Sequence, residues 1–301
     1  PEDLKRKISP RSTVVLIVHM SGAAGNIEPV LEIARKNDLL VLEDCAQANG
    51  AKLKGRYIGT FGDMAIFSLQ INKNITAGEG GVVTTNDDHL YKRAFAAHDL
   101  GYARDNKGHL METCEDVRYQ FWGAGARMSE LTGAVALAQL EKIGRITSSM
   151  RDAKWTIRRQ LEEIPGLGFR RILDPEGDSG SFLITIYPDA STCARFTEAL
   201  RAEGIRGEGE TNICLTLEEW GLHWFFNNLS LVNKRSISPS GWPWTLEENA
   251  FSRDYSYERK TLPRCDDLAS RSMLLMIPSR MGDEEIRDIG AAFKKVAGRL
   301  L

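Results

Sequence analysis

The stretch Val41-Leu-Glu-Asp-Cys-Ala-Gln-Ala-Asn-Gly50 opens as apolar chain and ends in small and polar residues, with two carboxylates where its character changes. The apolar run 39–42 is too short for a helix and reads as a core strand closed by turn-forming residues. An acid at the tip of such a strand, next to a thiol (Cys45) and a carboxamide (Gln47), either opens an ordinary loop or marks a site. Strand ends of this kind are where open α/β sheets bind ligands.

On both sides of this stretch, strand and helix signals alternate. Val14-Val-Leu-Ile-Val18 is a continuous branched run, expected of a strand covered on both faces. Residues 27–36 carry apolar side chains at helical spacing, and 64–67 and 81–84 are further strands. Asp87 or Asp88 is placed to cap a helix running through Ala97. This rhythm predicts an α/β layer with a mostly parallel central sheet flanked by helices.

Residues 127–143 read as a helix with small residues in its middle, and 150–164 as a second one, ended by Pro165-Gly166. With Asp174-Pro-Glu-Gly-Asp-Ser-Gly180 close behind, that pair marks a boundary. Two domains are expected, 1–148 and a smaller C-terminal α+β domain over 149–301. The latter holds a strand over 181–187, a helix over 191–203 closed by Gly204, and a final helix from Asp283. Residues 220–262 hold four of the six tryptophans and are read as a long surface or pocket loop.

The bulk numbers exclude several classes. With 39 basic and 41 acidic residues the formal charge is −2, which provides no field for nucleic acid or anionic membranes. No apolar run reaches membrane-spanning length, and the first residues lack the apolar core of a secretion signal. Cys45, Cys114, Cys193, Cys214 and Cys265 are scattered and never form a CxxC, as for reduced thiols in a cytoplasmic protein with neither a disulfide framework nor a metal site.

The chemistry concentrates in Phe67-Ser-Leu-Gln-Ile-Asn-Lys-Asn-Ile-Thr-Ala-Gly-Glu-Gly-Gly81. Lys73 follows a strand end and precedes a glycine-rich turn, where backbone can approach a ligand closely. A lone loop lysine is usually solvated. Lys73 stands instead with a strand-end carboxylate, Asp44, and a strand-end hydroxyl, Ser68. A covalently acting lysine with an electron-accepting pyridinium, kept protonated by a carboxylate, is the need of pyridoxal phosphate chemistry.

In order and spacing, Glu43-Asp44-Cys45-Ala46-Gln47-Ala48-Asn49-Gly50-Ala51, Gly55-Arg-Tyr-Ile-Gly-Thr-Phe-Gly-Asp63, Phe67-Ser68, Lys73 and Gly78-Glu-Gly-Gly81 resemble the DegT/StrS sugar aminotransferases. Arg127-Met-Ser-Glu-Leu131, Leu274-Leu-Met-Ile-Pro278 and the acid-capped last helix extend the resemblance over nearly the whole chain. It implies a fold-type I aminotransferase-like architecture, incomplete at the N-terminus, that uses pyridoxal 5'-phosphate. The implied reaction moves an amino group from glutamate or glutamine to a nucleotide-linked ketosugar or a ketocyclitol, in a homodimer.

Carried over by position, Lys73 matches the lysine that bears the cofactor and Asp44 the acid beside the pyridine nitrogen. Gln47 matches a carboxamide near the ring, and Ser68 a phosphate ligand. His19 fits the family pattern in either a structural or a substrate role, whereas Glu43 is read as a strand-end or loop acid and Cys45 as a small buried side chain, both outside the chemistry. Two departures stand out. The family's front segment, with half of its phosphate cup, has no counterpart before Pro1, and Gly125 replaces an asparagine that reaches the partner subunit's phosphate. The front is then expected in a longer protein or a second polypeptide, the alternative being a degenerate homologue with a structural or regulatory role.

Overall fold

The computed structural model describes residues 1–105, 107–111, 116–207 and 211–301. Cys114 therefore lies outside the described residues. The chain forms two compact units. The first comprises 1–154, 171–181 and 278–281, and the second 155–170, 182–277 and 282–301.

In the first unit a four-stranded sheet has the order β1 (Val14–Val18), β2 (Leu40–Asp44), β3 (Met64–Ser68), β4 (Gly81–Thr85). The first three run parallel, with Val18 opposite Asp44 and Asp44 opposite Ile66, and β4 returns antiparallel. Parallel neighbours need a crossover, and helix α1 (Ile27–Lys36) supplies it between β1 and β2. Ala34 of α1 is buried in a cluster with Leu39 and Val41, against which Leu31, Val15 and Ile17 pack. Helix α2 (Asp88–His98) begins where Asp87 caps it, its Oδ1 accepting from the Leu90 amide at 2.7 Å. Helix α3 (Glu130–Leu140) is capped by Ser129, and helix α4 (Ile143–Leu161) starts earlier than the sequence periodicity suggests.

The expectation that Val14–Val18 is covered on both faces is not met among the described residues. Val15 and Ile17 pack on α1, but Val14, Leu16 and Val18 on the opposite face are 50%, 54% and 41% exposed. Asp44, in register with Val18, lies on this open face, and Glu43 on the covered one.

The second unit is α+β. Its antiparallel sheet has the order β5 (Gly168–Phe169), β6 (Phe182–Ile186), β8 (Ser272–Met276), β7 (Cys214–Thr216). Helices α5 (Ala190–Ala202) and α7 (Asp283–Leu300) pack on each other; α6 (Pro263–Ser270) leads into β8. Ile286, Ile289, Phe293, Val296 and Ala297 are buried along one stripe of α7, and Phe293 meets Phe196 of α5 with ring centroids 5.7 Å apart. Residues 220–262 are irregular as expected, but not all of the surface. Trp220 is buried and stacked on His223 at 4.1 Å, whereas Trp242 is 54% exposed.

Candidate active site

Asp44 ends β2. Its Oδ1 accepts from the Ala46 amide at 2.9 Å, an Asx-type turn that brings the chain off the strand tip. Its other oxygen has no hydrogen bond among the described residues. Three residues on, Gln47 is gripped twice by the turn after β1. Its Oε1 accepts from the Ser21 amide at 3.0 Å, and its backbone carbonyl from the Gly22 amide at 3.0 Å. The carboxamide nitrogen of Gln47 is left as the outward donor.

Ser68 ends β3, two positions beyond the residue that opposes Asp44. Its Oγ accepts from the Gln70 amide at 3.3 Å, and its backbone carbonyl accepts from Asn49 Nδ2 at 2.8 Å. Lys73 sits in a loop that folds back on itself. Ala77 donates to the Leu69 carbonyl, Leu69 to the Gly80 carbonyl, and Thr76 Oγ1 to the Leu69 carbonyl, all at 2.9 Å. Asn74 Nδ2 ties the loop to the Asn49 carbonyl at 2.9 Å. The loop around Lys73 is thereby fastened on both sides of the lysine.

Lys73 is half-buried, and among the described residues its amine has no hydrogen bond or ion pair. Burial lowers its pKa below the ordinary lysine value, and the Asp44 carboxylate pulls part of the way back. The structure thus brings Lys73 within electrostatic reach of Asp44, and Asn49 links the Ser68 tip to the Lys73 loop. No hydrogen bond joins any two of the Asp44, Gln47, Ser68 and Lys73 side chains among the described residues. The 660 Å³ cleft lined by Phe67, Val82, Leu137 and Leu140 includes none of the four in its lining.

Sequence reasoning missed the residues that hold this arrangement. Glu43 is not a loop acid: it is fully buried, as is His19, and the two are joined at 3.0 Å. Period-two alternation places Glu43 on the face opposite Asp44, but which of the two faces is covered is not readable from the strand itself. Asn49, buried, has an Oδ1 with no hydrogen-bond partner among the described residues. Cys45 is buried as expected, and its thiol pKa is pushed up by burial and by Glu43 and Asp44.

These residues fit a pyridoxal phosphate molecule. An amine of lowered basicity and a carboxylate oxygen, both without a hydrogen bond among the described residues, are the donor set such a ring and aldehyde need.

Comparison with known proteins bears on family and fold. GDP-perosamine synthase of Escherichia coli O157:H7 is 38% identical over 166 residues, 54% of this chain and 42% of the synthase. The L-glutamine:2-deoxy-scyllo-inosose aminotransferase of Micromonospora echinospora is 35% identical over 305 residues, covering 98% of this chain and 67% of that enzyme. The chain spans less than half the length of the perosamine synthases it matches. In fold it is similar to an aminotransferase from Psychrobacter cryohalolentis, with a TM-score of 0.74 at 22% identity over 100% of this chain and 72% of that one. The profile of the DegT/DnrJ/EryC1/StrS aminotransferase family matches residues 1–210, and the chain belongs to that family.

Proposed function

We propose that the protein containing this chain is a pyridoxal phosphate-dependent aminotransferase that transfers an amino group from glutamate or glutamine to a ketosugar, nucleotide-linked, or to a ketocyclitol. The observation that carries the reading is the half-buried Lys73 amine, without a hydrogen bond or ion pair among the described residues and within electrostatic reach of Asp44, in a chain of this family. The names of the relatives, a GDP-sugar synthase and a scyllo-inosose aminotransferase, support the two substrate classes.

Pyridoxal phosphate, when bound, supplies an aldehyde that condenses with amines and a ring that accepts the electron pair released at the donor carbon. Asp44 would keep the ring nitrogen of the bound cofactor protonated, anion and cation stabilising each other. Gln47, its Oε1 held by the Ser21 amide, would offer its carboxamide N–H to the ring, and Ser68 its hydroxyl to the phosphate. Lys73 Nζ would hold the cofactor's aldehyde carbon and, when free as an amine, would serve as the base and then the acid that moves the substrate proton. Its lowered pKa favours the neutral amine that a base needs.

The cofactor-binding domain is assigned to 1–148 and a smaller domain to 149–301. A cytoplasmic homodimer completes the reading. Exposed Leu131, Val135, Leu137 and Leu140 on α3 support an apolar subunit contact, and no helix among the described residues is long and apolar enough to cross a membrane. The test is optical. Protein incubated with pyridoxal phosphate and freed of excess should keep a visible or near-ultraviolet absorption band, and Lys73→Ala should lose it. Protein that takes up no cofactor overturns the reading.

A further inference from the structure

His19 and Glu43 meet at the tips of adjacent strands with no exposed surface on either side chain. A backbone amide can only donate, so the 2.9 Å contact from the Gly25 amide makes His19 Nδ1 an acceptor. The ring proton is therefore on Nε2, which donates to Glu43 Oε2 at 3.0 Å. Glu43 Oε2 also accepts from the Gly59 amide at 2.7 Å, and Oε1 from the Phe61 and Gly62 amides, each at 2.7 Å. Burial alone would raise the Glu43 pKa, but the hydrogen bonds from His19 and these amides outweigh it and hold the group below the ordinary glutamate value.

Cys45 lies close enough for the three side chains to suggest a metal site. The hydrogen bonds oppose that reading. Both imidazole nitrogens are engaged, and each Glu43 oxygen already takes two hydrogen bonds.

What the pair does follows from where the chain goes next. The His19 amide donates to the Asp44 carbonyl at 2.9 Å, so the tips of β1 and β2 are tied twice, once through backbone and once through side chains. Glu43 precedes Asp44, and with its side chain anchored by four donors the 43–44 peptide cannot rotate without breaking them. Side chains alternate across a strand, so fixing Glu43 into the covered face aims Asp44 out of the other. On the β1 side, His19 leads directly into Met20-Ser21-Gly22, where Ser21 at φ 53° and Gly22 at φ 81° present the two amides that grip Gln47.

We infer that the buried His19–Glu43 pair is a positioning device that sets Asp44 and Gln47 together, holding the cofactor-ring acid and the carboxamide in register from beneath the sheet. It rests on the aminotransferase reading only in taking those two residues as the cofactor's partners. Neither His19 nor Glu43 touches the reacting atoms; both act through the residues that do.

The test uses the full chain and two substitutions that separate the two bonds of the ring. His19→Gln keeps a donor at the reach of Nε2, whereas His19→Asn keeps an acceptor near Nδ1 and cannot reach Glu43. The readout is the pH profile of Lys73 acylation by a neutral reagent, followed by mass spectrometry in cofactor-free protein, alongside pyridoxal phosphate affinity and melting curves. Because the Asp44 anion raises the Lys73 pKa, His19→Asn should move the Lys73 midpoint down, in the direction of Asp44→Asn and at least half as far. It should also weaken cofactor binding by about tenfold, the scale of one lost buried hydrogen bond. His19→Gln should restore both. Should His19→Asn not fold, Glu43→Asp withdraws the carboxylate from the other side and is read the same way.

A lowered melting temperature with an unmoved Lys73 midpoint would overturn the inference, leaving the pair purely structural. Equal shifts in the Gln and Asn variants would overturn it too. Wild-type protein that binds no cofactor would overturn the aminotransferase reading instead, and the Lys73 profile would still decide the positioning role.

Discussion

Lys154 of α4 and Asp178 form an ion pair in which the two side chains are 2% and 0% exposed. Asp178 Oδ1 also accepts from the Gly180 amide at 3.1 Å, so the carboxylate fixes the 178–181 turn as well as the helix. Desolvating both charges offsets much of their attraction, but removing one leaves the other buried without its counter-charge. Asp178→Ala should therefore cost roughly 3–5 kcal/mol in denaturant unfolding, whereas the double change Lys154→Met, Asp178→Leu should cost clearly less. A double variant as unstable as the single one would refute this.

Gly22 connects that turn to Gln47. It has φ +81°, and a Cβ there would stand 2.5 Å from Ser179 Oγ, while the Ser179 amide donates to the Gly22 carbonyl at 2.9 Å. Gly22→Ala meets both backbone strain and a clash in a fully buried place. We expect it to destabilise by about 1–3 kcal/mol and to weaken cofactor uptake through Gln47. Equilibrium unfolding and the bound-cofactor absorbance report the two effects separately.

Glu43 makes stability sensitive to acid. Its folded-state pKa is lowered, so its contribution is present above the unfolded glutamate value, about 4.3, and is lost as pH falls through the folded value. Unfolding free energies measured at a series of pH values should decline below about pH 4–5. Glu43→Gln, which faces three amide donors with one carbonyl oxygen, should lose roughly 3 kcal/mol at neutral pH and show a shallower acid slope.

Among the described cysteines, Cys45, Cys193 and Cys214 are buried, and burial pushes the last two up to about 12; Cys265 is only partly covered. The thiolate is the reactive form. Peptide mapping after brief treatment with an alkylating reagent at mildly alkaline pH should find Cys265 modified before Cys45, Cys193 and Cys214, which are labelled only after unfolding. Earlier labelling of Cys45, Cys193 or Cys214 would contradict the packing described.

Helix α3 has no buried residue, although most of its side chains are apolar. If it is the subunit contact, Leu137→Glu should shift sedimentation toward monomer while leaving the circular dichroism spectrum unchanged, since Leu137 is 60% exposed in the single chain. An unaltered oligomer would place the contact elsewhere.

The alternation of short branched runs with an amphipathic segment was legible in the sequence, because strand and helix periods are local properties of a few side chains. So was the order Asp44, Gln47, Ser68, Lys73, since each of these residues sits at a strand tip or turn that the pattern marks. Leu40–Asp44 also shows where local reading stops. Period-two alternation places Glu43 and Asp44 on opposite faces, but nothing within those five residues says which face will be covered. That was decided by α1 seating on Val15, Ile17 and Val41, and by the 59–62 turn closing over Glu43 with three amides. By itself, the sequence determined the α/β class and the set of chemical groups. Only the tertiary structure decided that Glu43 and His19 are buried supports and that Asp44 looks out beside Lys73, because burial and hydrogen-bond satisfaction are set by partners far away along the chain.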